Sequence, residues 1–163
     1  MRRLILMRHA KSAWDDPALD DHDRPLNGRG RVSARVLGDW LRAQGYMPDL
    51  VLSSTSTRTR ETFARLRITC DAQFTGALYH ASAERMMEVL QGATGECVLM
   101  LGHNPGIAWF AQSLAAAPPP HPRFYDYPTC ATLVADFDAA SWAEVIPGSG
   151  VAKAFVIPRE LTG

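Results

Sequence analysis

Net charge is the first thing the sequence lacks: seventeen basic and seventeen acidic side chains cancel over 163 residues. A surface without bulk charge does not draw nucleic acid or an anionic membrane broadly, so any anion binding has to be local. Cysteine is scarce as well. Cys70, Cys97 and Cys130 are odd in number, far apart and outside any CxxC or Cys/His ligand spacing. That speaks against a disulfide framework and a zinc site, and leaves three thiols expected to be buried and reduced. No apolar run approaches the roughly 20 residues of a membrane span, and the N-terminal run lacks a signal peptide's apolar region and cleavage site. The expectation is a cytoplasmic chain with neither a nucleic-acid partner nor a membrane.

What is present is an ordinary globular balance, 47% hydrophobic and 21% charged, enough to bury the core of a single domain over residues 1–163. Short apolar runs at Leu4 to Met7, Leu50 to Leu52 and Val98 to Leu101 are each followed by polar or glycine residues and then by a helical pattern. This is βα alternation. Arg29 to Ala43 sets Val32, Val36, Leu37, Trp40 and Leu41 on one helix face, with Gly45 as a stop, and Ala83 to Leu90 repeats the pattern with Met86, Met87 and Leu90. In GHNPG, Asn104 can cap a helix and Pro105 suits its first turn, ahead of Ile107, Trp109, Phe110 and Leu114, with an end near Ala117. AAAPPPHPRFYDYP reads as a rigid surface loop, after which Thr132 to Phe137 and VAKAFVIP complete the sheet as a hairpin or edge pair.

In open α/β sheets, function gathers where the C-terminal ends of strands meet the next helices. Three such junctions carry Arg8-His9, SSTSTRTRET (Ser53 to Thr62) and GHNPG (Gly102 to Gly106). A guanidinium at the end of an apolar strand needs a carboxylate or a bound anion, and Arg8 could have either. Arg58 lies near a helix start, where the dipole disfavours a cation unless an anion uses both. His9 and His103 end two different strands, so both imidazoles can converge on one group. A neutral imidazole can attack phosphorus, and a protonated one can stabilise its oxygens. Taken singly, each feature has a structural explanation: a satisfied histidine, an internal salt bridge, a solvated arginine, a capped helix. Dismissing all of them takes four separate explanations. A metal site among His9, Asp15, Asp16, His22 and His103 fits poorly, since no two histidines share a helical i, i+4 spacing and the arginines would repel a cation. A serine hydrolase finds no G-x-S-x-G.

MRHAKS, SSTSTRTRET and LGHNPG, in this order, resemble the histidine phosphatase superfamily with its Arg-His-Gly motif. RHAKSAW, DRPLNGRG and LYHASAE in so short a chain are similar to the small SixA-type branch, the phosphohistidine phosphatases. The resemblance covers about Met1 to Leu114. It implies a phosphoglycerate-mutase-like α/β/α sandwich around a mixed, mainly parallel sheet. It also implies His9 as the phosphorylated nucleophile, with Arg8, Arg58 and His103 in the phosphate pocket; Asn104, next to His103 in the chain, is a further candidate substrate contact. Ala10 stands where the motif has glycine, which is tolerable if the backbone there does not need positive φ. Asp15 stands where phosphoglycerate mutases have an asparagine, which weakens a mutase assignment. Glu84 is the best candidate for the general acid of larger relatives, with Asp15 and Asp16 behind it, although Glu84 also suits the first turn of its helix, the preferred reading. Arg24 contacts a substrate protein or pairs with a nearby aspartate.

The resulting expectation is a metal-independent, cofactor-free monomer that hydrolyses phosphohistidine on a protein partner, such as a histidine-phosphotransfer domain or a phosphotransferase carrier, through a phosphorylated His9. A weak demand for a general acid fits that substrate, because the leaving nitrogen is protonated from solvent more readily than an alkoxide oxygen. The alternatives are a small-molecule or general phosphomonoesterase with the same pocket, and a non-catalytic phosphoprotein-binding module.

Overall fold

The computed structural model describes residues 1–162. In chain order the elements are β1 (Arg2–Arg8), α1 (Gly28–Gln44), β2 (Leu50–Ser54), α2 (Thr57–Leu66), β3 (Asp71–Thr75), α3 (Ala83–Gln91), β4 (Cys97–Gly102), α4 (Gly106–Leu114), β5 (Thr132–Phe137), β6 (Val151–Val156) and α5 (Pro158–Thr162). Short 3-10 turns lie at Asp21–Asp23, Gly76–Leu78 and Trp142–Glu144. The strands form one sheet in the order β3-β2-β4-β1-β5-β6. β3, β2, β4 and β1 are mutually parallel, β5 is antiparallel to β1, and β6 is antiparallel to β5, so the sheet is the mixed, mainly parallel arrangement that the family resemblance implies.

β1 reads as a continuous apolar run because both its faces are covered. Leu4 and Leu6 point with Leu52, Val98 and Met100 toward α3 and α4, against Met86, Leu90, Ile107, Phe110 and Leu114. Ile5 and Met7 point with Val51, Leu99 and Leu101 to the opposite layer, against Ala34, Leu37 and Leu41 of α1 and Leu66 of α2. The two layers complete an α/β/α sandwich. Tyr127 fastens the proline-rich segment to it, donating from its hydroxyl to the Leu6 carbonyl at 2.5 Å and accepting from the Leu133 N–H at 3.2 Å.

The structure corrects several expectations. β3 is an additional strand: DAQFT offers no sustained apolar run because it is a half-exposed edge, paired on one side only. α4 stops at Leu114 and not near Ala117, because the chain turns extended at Ala115 and the Ala116 N–H donates to Gly150. Pro105 precedes that helix, with no side-chain cap from Asn104. Val32 and Trp109, expected on buried faces, are exposed, and the α1 stripe runs instead through Gly30, Ala34, Leu37, Gly38 and Leu41. Only Cys130 is fully buried; Cys70 and Cys97 are half-buried. No helix among the described residues is long and apolar enough to cross a membrane.

Candidate active site

The C-terminal ends of β1, β2 and β4 meet on one edge of the sheet, and the pocket of about 310 Å³ there is lined by Arg8, His9, Arg58, His80, His103 and Asn104, among others. β1 delivers Arg8 and His9 in register with Gly102 of β4, whose carbonyl accepts from the His9 N–H at 3.2 Å. The His9 and His103 ring centroids stand 5.2 Å apart. Convergence follows from topology: β1 and β4 are parallel neighbours, so the residues just past their ends are adjacent.

His9 is oriented by its own turn. Its Nδ1–H donates to the Ala10 carbonyl at 2.8 Å, which leaves the Nε2 lone pair free. Burial first, then the charges of Arg8 and Arg58, lower its pKa to about 3, which keeps the ring neutral across ordinary pH. Ala10 is not among the residues with positive φ, so a methyl group in place of the motif hydrogen is accommodated. The Ala10 N–H donates to Thr62 Oγ1 at 3.0 Å, and the Thr62 hydroxyl donates to the Arg58 carbonyl at 2.7 Å. One threonine thus ties the strand end carrying His9 to the helix carrying Arg58.

His103 is 3% exposed, and its pKa is lowered to about 2 by burial and by its neighbours His9 and Arg58. Its Nε2 lies 2.9 Å from Ser54 Oγ, which already accepts from the Ser56 N–H. In the tautomer in which the Ser54 hydroxyl donates to Nε2, His103 carries its own proton on Nδ1, a buried atom without a partner among the described residues. A neutral ring can donate this N–H to an anion without being protonated first.

Arg58, 3% exposed, is the second residue of α2, whose Ser56 cap accepts from Thr59 N–H. Its guanidinium donates to the Asp21 carbonyl at 2.7 Å and to Asp21 Oδ2 at 3.0 Å. Arg8 donates to the Tyr127 carbonyl at 3.2 Å. Burial and then the nearby Arg58 charge push its pKa down. Both arginines have a buried Nε–H with no partner among the described residues. Two guanidiniums that repel each other, with donors unspent, form a site that fits a phosphoryl group.

Several residues here are not identified by sequence reasoning. Asp21 is the central one: it also accepts from the Tyr79 hydroxyl at 2.5 Å, from Arg24 at 3.0 Å and from His80 at 3.0 Å. Partial burial pushes its carboxyl up, but the bonds from Tyr79, Arg58 and Arg24 outweigh it and hold the group well below the ordinary carboxylate range. The available signal was the need for a carboxylate beside buried arginines, without a periodicity to say which aspartate supplies it. His80 sits in the left-handed region at φ 51°, its ring 5.1 Å from that of His103.

The remaining sequence candidates fall on both sides of the pocket wall. Arg24 is a buried strut, donating to Ser12 Oγ at 2.8 Å and stacked 3.5 Å over Trp14. Gly30 lets α1 meet this loop, since a Cβ there would stand 2.0 Å from the Lys11 carbonyl oxygen. Asn104 lines the pocket, but its amide donates to the Asp126 and Tyr127 carbonyls at 2.9 and 3.1 Å, so it braces the loop and has no amide N–H left for phosphate. Glu84, Asp15 and Asp16 are exposed and outside the pocket lining; Glu84 lies in the first turn of α3 behind the Ser82 cap.

Comparison with known proteins agrees with this geometry. The model of the histidine phosphatase superfamily (branch 1) matches residues 4–78. An uncharacterised protein of Mycobacterium tuberculosis is 36% identical over 160 residues, 94% of this chain and 100% of the relative. The proposed phosphohistidine phosphatase SixA of Nakamurella multipartitia has a similar structure, with a TM-score of 0.84 and 27% identity over 96% of each chain. That of Agrobacterium tumefaciens gives 0.79 and 28%, over 96% of this chain and 98% of the other.

Proposed function

This chain belongs to the histidine phosphatase superfamily, in its SixA-type branch, and is a phosphatase; from that premise we propose that it hydrolyses phosphohistidine carried on a protein. The observation that carries the choice of substrate is the state of the pocket's carboxyl group. Asp21 is the single carboxyl among the described residues that line the pocket, and it is held ionised by Tyr79, Arg58 and Arg24. An alkoxide leaving group needs a proton from a positioned acid; a phosphohistidine nitrogen takes one from solvent.

In the proposed reaction, Arg8, Arg58 and the Nδ1–H of His103 hold the phosphoryl oxygens. The His9 Nε2 lone pair forms a bond to phosphorus as the substrate's P–N bond breaks, and the leaving imidazole nitrogen takes up a proton from water. The Ala10 carbonyl stabilises the positive charge that develops on the His9 ring. Water then attacks phosphorus, the bond to His9 breaks, and inorganic phosphate leaves with His9 neutral again. Charge neutralisation comes from the two guanidiniums, so the cycle proceeds without a metal ion.

The test compares a phosphohistidine carrier protein with simple phosphomonoesters, with and without EDTA, and traps bound phosphate at alkaline pH. Faster turnover of the carrier, insensitivity to EDTA and an acid-labile, alkali-stable adduct on His9 are expected. Loss of activity on chelation would overturn the metal-free cycle, and a preference for phosphomonoesters would overturn the substrate. Glu84→Gln is expected to leave both rates unchanged; a loss confined to phosphomonoesters would make Glu84 a general acid after all.

A further inference from the structure

Beside the phosphate pocket lies a second depression, of about 200 Å³, which shares Lys11 and Thr129 with it and is walled by Arg29, Arg123 and Arg159. The cations come from separate elements: Lys11 from the loop after β1, Arg29 from the first turn of α1, and Arg159 from α5. Arg123 is paired with Asp126 at 2.9 Å, whereas Lys11, Arg29 and Arg159 take part in no ion pair among the described residues. In a chain whose charges cancel overall, this is a local excess of positive charge next to the site.

Arg29 makes the excess directional. The first turn of α1 contains no acidic residue, so the positive end of the helix dipole and the Arg29 guanidinium reinforce each other, an arrangement that an anion in the groove would relieve. The opposite charge is held elsewhere. Asp15, Asp16, Asp20 and Asp23 are exposed on the loop after Trp14, and none of them lines the groove. An acidic segment meets repulsion at that loop and attraction on the Lys11 side. Pro128, Ile157 and Pro158 add apolar wall on which aliphatic stems can lie.

We propose that this groove is a docking site for a carboxylate-rich segment of the phosphoprotein, adjacent in the partner to its phosphohistidine. The inference rests on the protein-borne phosphohistidine substrate proposed above. The phosphate pocket holds the phosphoryl group, while the groove reads the charge of the chain that presents it. A small phosphate ester reaches only the first.

Two phosphohistidine peptides that differ only in acidic or neutral flanking residues test this, with the wild type, Arg29→Glu, Arg159→Glu and the double variant. The wild type is expected to show a KM about tenfold lower for the acidic peptide, an advantage that shrinks with salt and is lost in the double variant. The neutral peptide should be turned over within about twofold by all four proteins, which also verifies that the variants fold, since neither arginine lines the phosphate pocket. Equal KM values for the two peptides in the wild type, or variants that slow both peptides alike, would overturn the docking site while leaving the phosphohistidine assignment intact. Hydrolysis of a phosphomonoester but of neither peptide would overturn that assignment, and the docking site with it.

Discussion

Asp21 grips Arg58 twice, with its backbone carbonyl on Nη1 at 2.7 Å and its carboxylate on Nη2 at 3.0 Å. The same carboxylate holds Arg24, Tyr79 and His80, so a single half-buried aspartate orients groups from its own turn and from two other segments of the chain. Asp21→Asn keeps the shape and the backbone acceptor but removes the charge. A misaimed guanidinium is expected to lower kcat/KM about ten- to hundredfold, with much of the loss in kcat. Steady-state kinetics measure this directly, and unchanged constants would show that Arg58 does not depend on Asp21 for its position.

The roles of His9 and of the other anion-binding groups separate in His9→Ala. Turnover should disappear, whereas binding of a phosphate analogue such as vanadate, measured by calorimetry, should persist within about tenfold, because Arg8, Arg58 and His103 remain. If binding vanished while the fold survived, the arginines would not be the principal anion ligands.

Two buried neutral imidazoles make stability depend on pH in a definite direction. Above about pH 6.5 the folded and unfolded chains both hold these rings neutral, so nothing is lost. Below it, the unfolded chain takes up protons that the folded one refuses until about 3 at His9 and about 2 at His103. Stability therefore falls as pH drops through that window, by up to about 1.4 kcal/mol per pH unit for each ring. Asp21 adds to the slope further down: its folded pKa is lowered, so its contribution is complete above the ordinary carboxylate range and is lost progressively as pH falls from that range through the lower folded value. Denaturant titrations of His103→Gln between about pH 4 and 6 should show a shallower slope than the wild type. Parallel slopes would mean that His103 is not held neutral.

Gly106 opens α4 against the end of the turn before α3, and an added Cβ would stand 1.9 Å from the Ala81 carbonyl oxygen. Gly106→Ala should lower stability by about 1–3 kcal/mol and displace His103 with it. Gly76→Ala, where a Cβ meets nothing within 4 Å, is the control. Equal denaturation midpoints for the two variants would show that the α3–α4 junction yields without penalty.

The readable part of the fold was the part where burial is complete. β1, β2 and β4 announce themselves as apolar runs because helices cover both faces, and His9 and His103 stand out because each follows such a run. β3 escaped because an edge strand has only one side to satisfy. Val32 and Trp109 fit the spacing of an apolar stripe, yet the packing turns both to solvent and buries Gly30 and Ala34 on α1 and Ala108 and Phe110 on α4. Glu84 drew attention as a carboxylate after the second motif, yet a position on the first turn of α3 leaves it in solvent.

By itself, the sequence determined the βα order, the residue types at three strand ends and thus the phosphate chemistry, since periodicity and local charge are properties of neighbours along the chain. Only the tertiary structure decided that Asp21 and not Asp15 or Asp16 would meet the buried arginines, that Asn104 would brace a loop, and that Lys11, Arg29 and Arg159 would share one groove. Those contacts join residues dozens of positions apart. Their partners are chosen by how helices and loops pack on the sheet, which no local pattern records.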